Sequence, residues 1–226
     1  MSGQIKSRER VTERGEVFTN EREVNAMLDM VKQETERIDS RFLEPACGNG
    51  NFIAEVLQRK LAVVSSRYRK SPAEYMRYAF LAVSSIYGVD IMQDNVEECR
   101  ERLFAIVENE ARKAIKSAAD QHFLDAVHYV LEKNILCGDA LTLKDAQGLP
   151  ITFSEWSIIT GDLVKRRDFF LSDLLEGNPD REETPSLFGA MDNAVQWEYD
   201  EETKTYIPSA FREFPPMKYW EVQRIG

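Results

Sequence analysis

The sequence is poor in the residues that build metal centres and disulfide frameworks. Its 226 residues include three cysteines and two histidines. Cys47, Cys99 and Cys137 are odd in number, widely spaced and form no Cys-x-x-Cys pair. His122 and His128 are six residues apart, which puts them on different faces of a helix. No metal site, disulfide framework or histidine general base is expected, and a reducing cytoplasm fits. No run approaches the roughly 18 apolar residues a membrane span needs, and residues 1–8 carry no apolar signal core. A surplus of positive charge is missing too. With 29 Lys and Arg against 39 Asp and Glu, the net charge is −10. A free-standing nucleic-acid binder usually presents a basic face, so the balance weighs against simple binding of that kind. The acidity is uneven. From Leu171 to Gly226, 12 acidic residues face 5 basic ones. The front of the chain can still present a local basic patch.

What is present is ordinary for a globular chain, 43% hydrophobic and 30% charged. The length fits one domain with an appendage. The expected division is a flexible arm over 1–15, a main domain over 16–176, and an acidic loop and C-terminal segment over 177–226. The stretch around which the rest is organised is 41–52, Arg-Phe-Leu-Glu-Pro-Ala-Cys-Gly-Asn-Gly-Asn-Phe. Phe42-Leu43 reads as a short buried strand. Pro45 cannot continue a central ladder. Gly48 and Gly50 make a tight turn, and Phe52, Ile53, Val56 and Leu57 then recur at helical spacing. Strand, glycine turn and helix let a ligand approach the backbone and meet N–H groups at a helix N-terminus.

Upstream, Val24, Met27, Leu28 and Val31 form an amphipathic stripe, and Asn20 with Glu23 makes a capping box. Downstream, the helix from Asn51 is expected to end near Leu61. Residues 62–85 read as an insertion. There Arg67, Arg69, Lys70 and Arg77 interleave with Tyr68, Tyr75 and Tyr78, a pattern that suits nucleic acid and equally a helical hairpin with a solvated face. Residues 85–91 form the next strand, with Asp90 at its C-terminal end. An acid there accepts hydrogen bonds from ribose hydroxyls in cofactor-binding α/β folds; the alternative is a cap for the following helix. That helix runs through Val96, Cys99, Leu103 and Val107, and helix continues over 110–132. Residues 134–141 give the third strand. The order βαβαβ predicts a parallel, Rossmann-like sheet.

Glu-Pro-Ala-Cys-Gly-Asn-Gly-Asn-Phe over 44–52 resembles the S-adenosylmethionine motif of N6-adenine DNA methyltransferases, in particular the modification subunits of bacterial restriction–modification systems. Gly15-Glu16-Val17-Phe18-Thr19, Gly88-Val89-Asp90-Ile91 and Gly138-Asp139-Ala140-Leu141 match further elements of that family in the same order. The resemblance implies an α/β, Rossmann-like methyltransferase fold, a mostly parallel sheet with flanking helices, truncated after strand four. It implies S-adenosylmethionine as cofactor. It places Phe18, Thr19, Glu44, Pro45, Ala46, Gly48, Gly50, Asn51, Phe52, Asp90, Ile91, Asp139 and Ala140 around that cofactor, with Asp139 towards the adenine amino group.

The resemblance stops at strand four. The family carries Asn/Asp-Pro-Pro-Tyr/Phe there, whose acceptor oxygens localise the adenine amino lone pair and whose aromatic stacks on a flipped base. Here Ile158-Ile159-Thr160-Gly161 is followed by Asp162-Leu163-Val164-Lys165. Asp162 keeps an acceptor oxygen and is the catalytic candidate; both prolines and the aromatic are absent. Asn178-Pro179-Asp180 and Phe214-Pro215-Pro216-Met217 do not follow apolar strands. Lys165-Arg166-Arg167 fits either a phosphate clamp or a solvated turn. The first functional reading is methyl transfer to adenine N6 in DNA, with a partner subunit supplying the catalytic and recognition parts, as a hetero- or homo-oligomer away from membranes. The alternative is an inactive accessory subunit that keeps the fold. Methyl transfer to another acceptor is the third. Cytosine C5 chemistry lacks its Pro-Cys motif, and a nicotinamide dehydrogenase lacks the third glycine, since position 53 is Ile.

Overall fold

Three short parallel strands are separated by two pairs of helices. The computed structural model describes residues 20–116, 119–175, 197–200 and 205–225. Helix α1 (Glu21–Met30) starts at Asn20, whose side chain accepts the Glu23 N–H at 3.0 Å as the capping box predicts. Val24 and Leu28 are buried, while Met27 and Val31 stay exposed, so half of the expected stripe is used. A short α2 (Lys32–Thr35) leads to β1 (Phe42–Glu44). Then follow α3 (Asn51–Tyr68), α4 (Pro72–Ser84), β2 (Ile86–Asp90), α5 (Gln93–Ile115), α6 (Gln121–Asn134) and β3 (Ile135–Asp139). The stretch 62–85 is thus the far half of α3 joined to α4. Ser71 caps α4, with Pro72 at its first position.

Helix lengths explain the architecture. At about 1.5 Å per residue, α3 is about 27 Å long and α5 about 34 Å. The strands of three to five residues are much shorter. Both helices start at the carboxyl ends of strands and overrun the sheet; α4 and α6 then return to the amino ends of β2 and β3. The result is a small sheet standing on a four-helix bundle. Lys60, halfway along α3, marks the amino edge of the sheet. It is fully buried, and its Nζ donates to Ile38 O, Ser40 O and Ser85 Oγ.

The sheet order is β1-β2-β3-β4, with β1, β2 and β3 parallel and the two-residue β4 (Lys144–Asp145) antiparallel. Both crossovers move in the same direction, so right-handedness puts all four helices on one face. Ile86 and Ile135 pack into that helical core, while Tyr87 and Val89 point the other way. The mixed α/β chain with a mostly parallel four-stranded sheet is compatible with a Rossmann-like fold.

The second face is covered by an antiparallel hairpin, β5 (Thr152–Thr160) and β6 (Leu163–Phe170). Phe153 meets the Tyr87 ring edge-on at 5.2 Å. Further along, Trp156 packs between Phe80 of α4 and Tyr129 of α6. Arg166 and Asp168 are buried together; Arg166 donates from Nε at 2.8 Å and Nη2 at 2.9 Å to that carboxylate. Its Nη1 reaches Tyr129 Oη and Ile225 O, tying the hairpin to α6 and the C-terminal end. Each of its three nitrogens thus reaches at least one acceptor, as a dry ion pair requires. The sequence pattern predicts a fourth parallel strand over 155–163. The structure instead folds it back at Gly161-Asp162, where Gly161 has φ +53°, and among the described residues β5 pairs with no strand of the first sheet.

After α7 (Leu171–Leu175), β7 (Trp197–Asp200) and β8 (Thr205–Pro208) form an antiparallel pair. The two-residue strands β9 (Arg212–Glu213) and β10 (Met217–Lys218) lie along β6. Tyr219–Arg224 is a 3-10 helix. Among the described residues no helix is long and apolar enough to cross a membrane.

Candidate functional site at the carboxyl ends of the parallel strands

Each parallel strand ends in an acid: Glu44 on β1, Asp90 on β2 and Asp139 on β3. Sequence separates these acids by more than forty residues; the sheet order makes them neighbours along one edge. The glycine turn joins the first two. Gly48 has φ +53° and Gly50 φ +85°, both in the left-handed region. The Gly48 N–H donates to Asp90 Oδ2 at 2.9 Å. A side chain at Gly50 would force Cys99 to shift, because an added Cβ would lie 2.7 Å from Cys99 Sγ. Gly88 is similarly crowded by Cys47 Sγ at 3.0 Å.

Helix α3 begins at Gly50, which supplies no capping side chain, and its first turn contains no acid. The leading N–H groups of an α-helix lack intrahelical partners. An 18-residue helix thus points its positive end into the turn with no anion of its own there. Asn49 is buried; its Nδ2 donates to Glu98 Oε1 at 2.7 Å, while its Oδ1 has no partner. This orphaned acceptor, the two left-handed glycines and the bare helix start fit a small polar cofactor.

The acids differ in their surroundings. Burial pushes the Glu44 carboxyl above its ordinary value. Asp90 accepts Gly48 N–H through Oδ2, and Met92 N–H at 2.9 Å and Asn95 Nδ2 at 3.2 Å through Oδ1. It therefore closes the glycine turn and holds the entry to α5, whose first residues follow Met92. A carboxylate offers about four acceptor positions, so a hydroxyl can still join. Asp139 accepts the Leu141 N–H at 2.8 Å, which above all holds its carboxyl below the ordinary range. The Cys47 thiol is pushed up by its hydrogen bond with Cys99 and by burial.

A bacterial methyltransferase shares part of this chain's sequence. DNA methyltransferase A of Bacillus subtilis (strain 168) is 21% identical over 162 residues, 70% of this chain and 18% of that protein. The chain therefore spans less than a fifth of the relative's length. No family model matches the chain, and no solved structure does. The likeness supports a relationship to DNA methyltransferases at that coarse level.

The structure brings Glu44, Pro45, Ala46, Gly48, Gly50, Asn51, Phe52, Asp90, Ile91, Asp139 and Ala140 to the same end of the sheet, on β1, β2, β3 and the loops that leave them. Ile91 is exposed beside Asp90. Phe18 and Thr19 lie outside the described residues. Asp162 is not brought there. It sits in the hairpin turn and pairs with Arg77 of α4, Nη2 to Oδ1 at 2.6 Å. Helix α4 lies beyond the amino ends of the strands, so Asp162 is on the flank of the bundle, away from the glycine turn. Arg166 is buried in the hairpin rather than presented to a phosphate, and Arg167 pairs with Glu155.

Sequence reasoning missed the face of α5 that templates the turn. Asn95 holds Asp90, Glu98 holds Asn49, Cys99 abuts Gly50, and Arg102 donates to Asn51 Oδ1 while lying 3.6 Å from Glu98. The spacing 95, 98, 99, 102 marks one helical face. Within the sequence it reads as the ordinary inner edge of an amphipathic helix.

Proposed function

We propose that this chain is the S-adenosylmethionine-binding part of a DNA methyltransferase that acts on adenine N6 within a restriction–modification system. A partner subunit or a further stretch of polypeptide completes it. The observation that carries the reading is the Gly48 N–H bond to Asp90. It joins two matching motifs, 44–52 and 88–91, into one ligand-ready turn. Asp90 would take a ribose hydroxyl, and the N–H groups at Asn51 and Phe52 would face the polar part of the cofactor. Asp139, half-buried at the next strand end, would accept from an exocyclic amine. The cofactor supplies an electrophilic methyl group. These residues hold and orient; none is placed to activate an acceptor.

Isothermal calorimetry of the chain with S-adenosylmethionine and with its demethylated product tests the reading. Binding at about 100 µM or tighter is expected; absence of heat with both at that protein concentration sinks it. The accessory-subunit reading is favoured by one observation: Asp162 is engaged by Arg77 far from the glycine turn. It predicts cofactor binding with no methyl incorporation into duplex DNA by the chain alone. Robust tritiated-methyl transfer that Asp162→Ala abolishes would reject it.

A further inference from the structure

The far tip of the helix bundle gathers cations in a chain that is strongly acidic overall. The ends of α3 and α5 meet around an open cleft of about 480 Å³. Among the described residues it is lined by Arg69, Lys70, Ala114, Ile115 and Lys116. Three of these five are cationic and none is acidic. All three are exposed, and none makes an ion pair among the described residues, whereas Arg112 and Lys113 one turn earlier pair with Glu108 and Glu110. Lys116 adopts a left-handed conformation, φ 54°, at the end of α5. It comes from 46 residues beyond Lys70, so the convergence is tertiary. Cations also complement the carbonyl ends of helices. That accounts for their sign and not for their meeting around one opening with Ala114 and Ile115 as its floor.

We propose that this cleft docks backbone phosphates of duplex DNA. The proposal rests on the DNA role argued above and adds the place of contact. At the carboxyl ends the strands present Glu44, Asp90 and Asp139, which suit hydroxyl and amine donors and give no phosphate a cation. The tip has the opposite sign, and exposed Arg67 on the same turn of α3 extends it. Tyr68 and Tyr78 stack on each other with centroids 3.9 Å apart, so their inner ring faces are already used. The tip therefore offers charge, which reads backbone and not sequence. It lies about 27 Å, the length of α3, from the glycine turn. A duplex held there makes a contact remote from the glycine turn, at the other end of the bundle.

Fluorescence anisotropy of a labelled mixed-sequence duplex across a salt series tests this. The wild-type chain is compared with an Arg69→Gln/Lys70→Gln/Lys116→Gln variant and with Arg22→Gln/Lys32→Gln/Arg37→Gln as a charge-matched control elsewhere. The triple variant should flatten the dependence of log K on log salt by about 2–3, and the control should leave it unchanged. Lys116→Glu alone should flatten it by at least about 1. No duplex binding by the wild type, equal slopes in wild type and variant, or an equal loss in the control overturns the proposal. Calorimetry with S-adenosylmethionine on the triple variant separates the two readings: its cofactor affinity should equal that of the wild type, whatever the duplex result.

Discussion

Gly50 carries two constraints at once, a left-handed backbone and contact with Cys99. Gly148 carries only the first, with φ +79° and open space around it. Gly50→Ala should cost about 2–3 kcal/mol and Gly148→Ala about 1, read from urea midpoints. Equal losses would show that Cys99 yields. Glu98 acts on the turn through Asn49, so Glu98→Ala should weaken S-adenosylmethionine binding about tenfold. Glu98→Gln keeps an acceptor and should restore most of it. A fall in both, with unchanged unfolding midpoints, would assign the effect to charge and not to positioning. The glycines were legible in the sequence because few residues other than glycine tolerate that backbone. Glu98 was not legible, because a polar residue at a helix edge looks the same whether it faces solvent or another loop.

At the scale of elements, α3 is pinned to the amino edge of the sheet by one buried amine. Burial lowers the Lys60 pKa to about 7, far below a lysine in the unfolded chain. Above pH 7 the unfolded state then holds a proton that the folded state has released, so stability rises with pH. The rise should be about 1 kcal/mol per pH unit between pH 7 and 8 and should vanish in Lys60→Met, as measured by chemical denaturation. Above pH 8 the thiols work in the opposite sense. Cys47 stays protonated when folded and ionises more readily when unfolded, which removes stability as pH rises. The first three strands were legible because apolar runs ended in acids or glycines. The hairpin was misassigned, although Gly161-Asp162 between two β-rich runs is a two-residue turn signal. Ile158-Ile159-Thr160-Gly161 resembles the lead-in to a parallel strand, and an apolar run does not reveal the direction of its partner.

Seen whole, the molecule has two chemically distinct ends: acids and a glycine turn above the sheet, cations at the tip of the bundle. Asp162 lies on the flank of the bundle, where its partly exposed pair with Arg77 is worth little. Asp162→Ala should lower stability by less than about 1 kcal/mol and leave cofactor affinity unchanged in calorimetry. A lost affinity would mean that the hairpin turn communicates with the far edge. A continuous element already links the two ends. Helix α5 begins on the Met92 N–H held by Asp90 and finishes at Lys116 on the cleft. Geometrically it is a lever about 34 Å long with its fulcrum at the glycine turn. A tilt of about 5° at the Asp90 end would sweep Lys116 through about 3 Å. A contact no larger than a hydroxyl is thus enough, in geometry, to change the width of the cleft between Lys116 and Lys70.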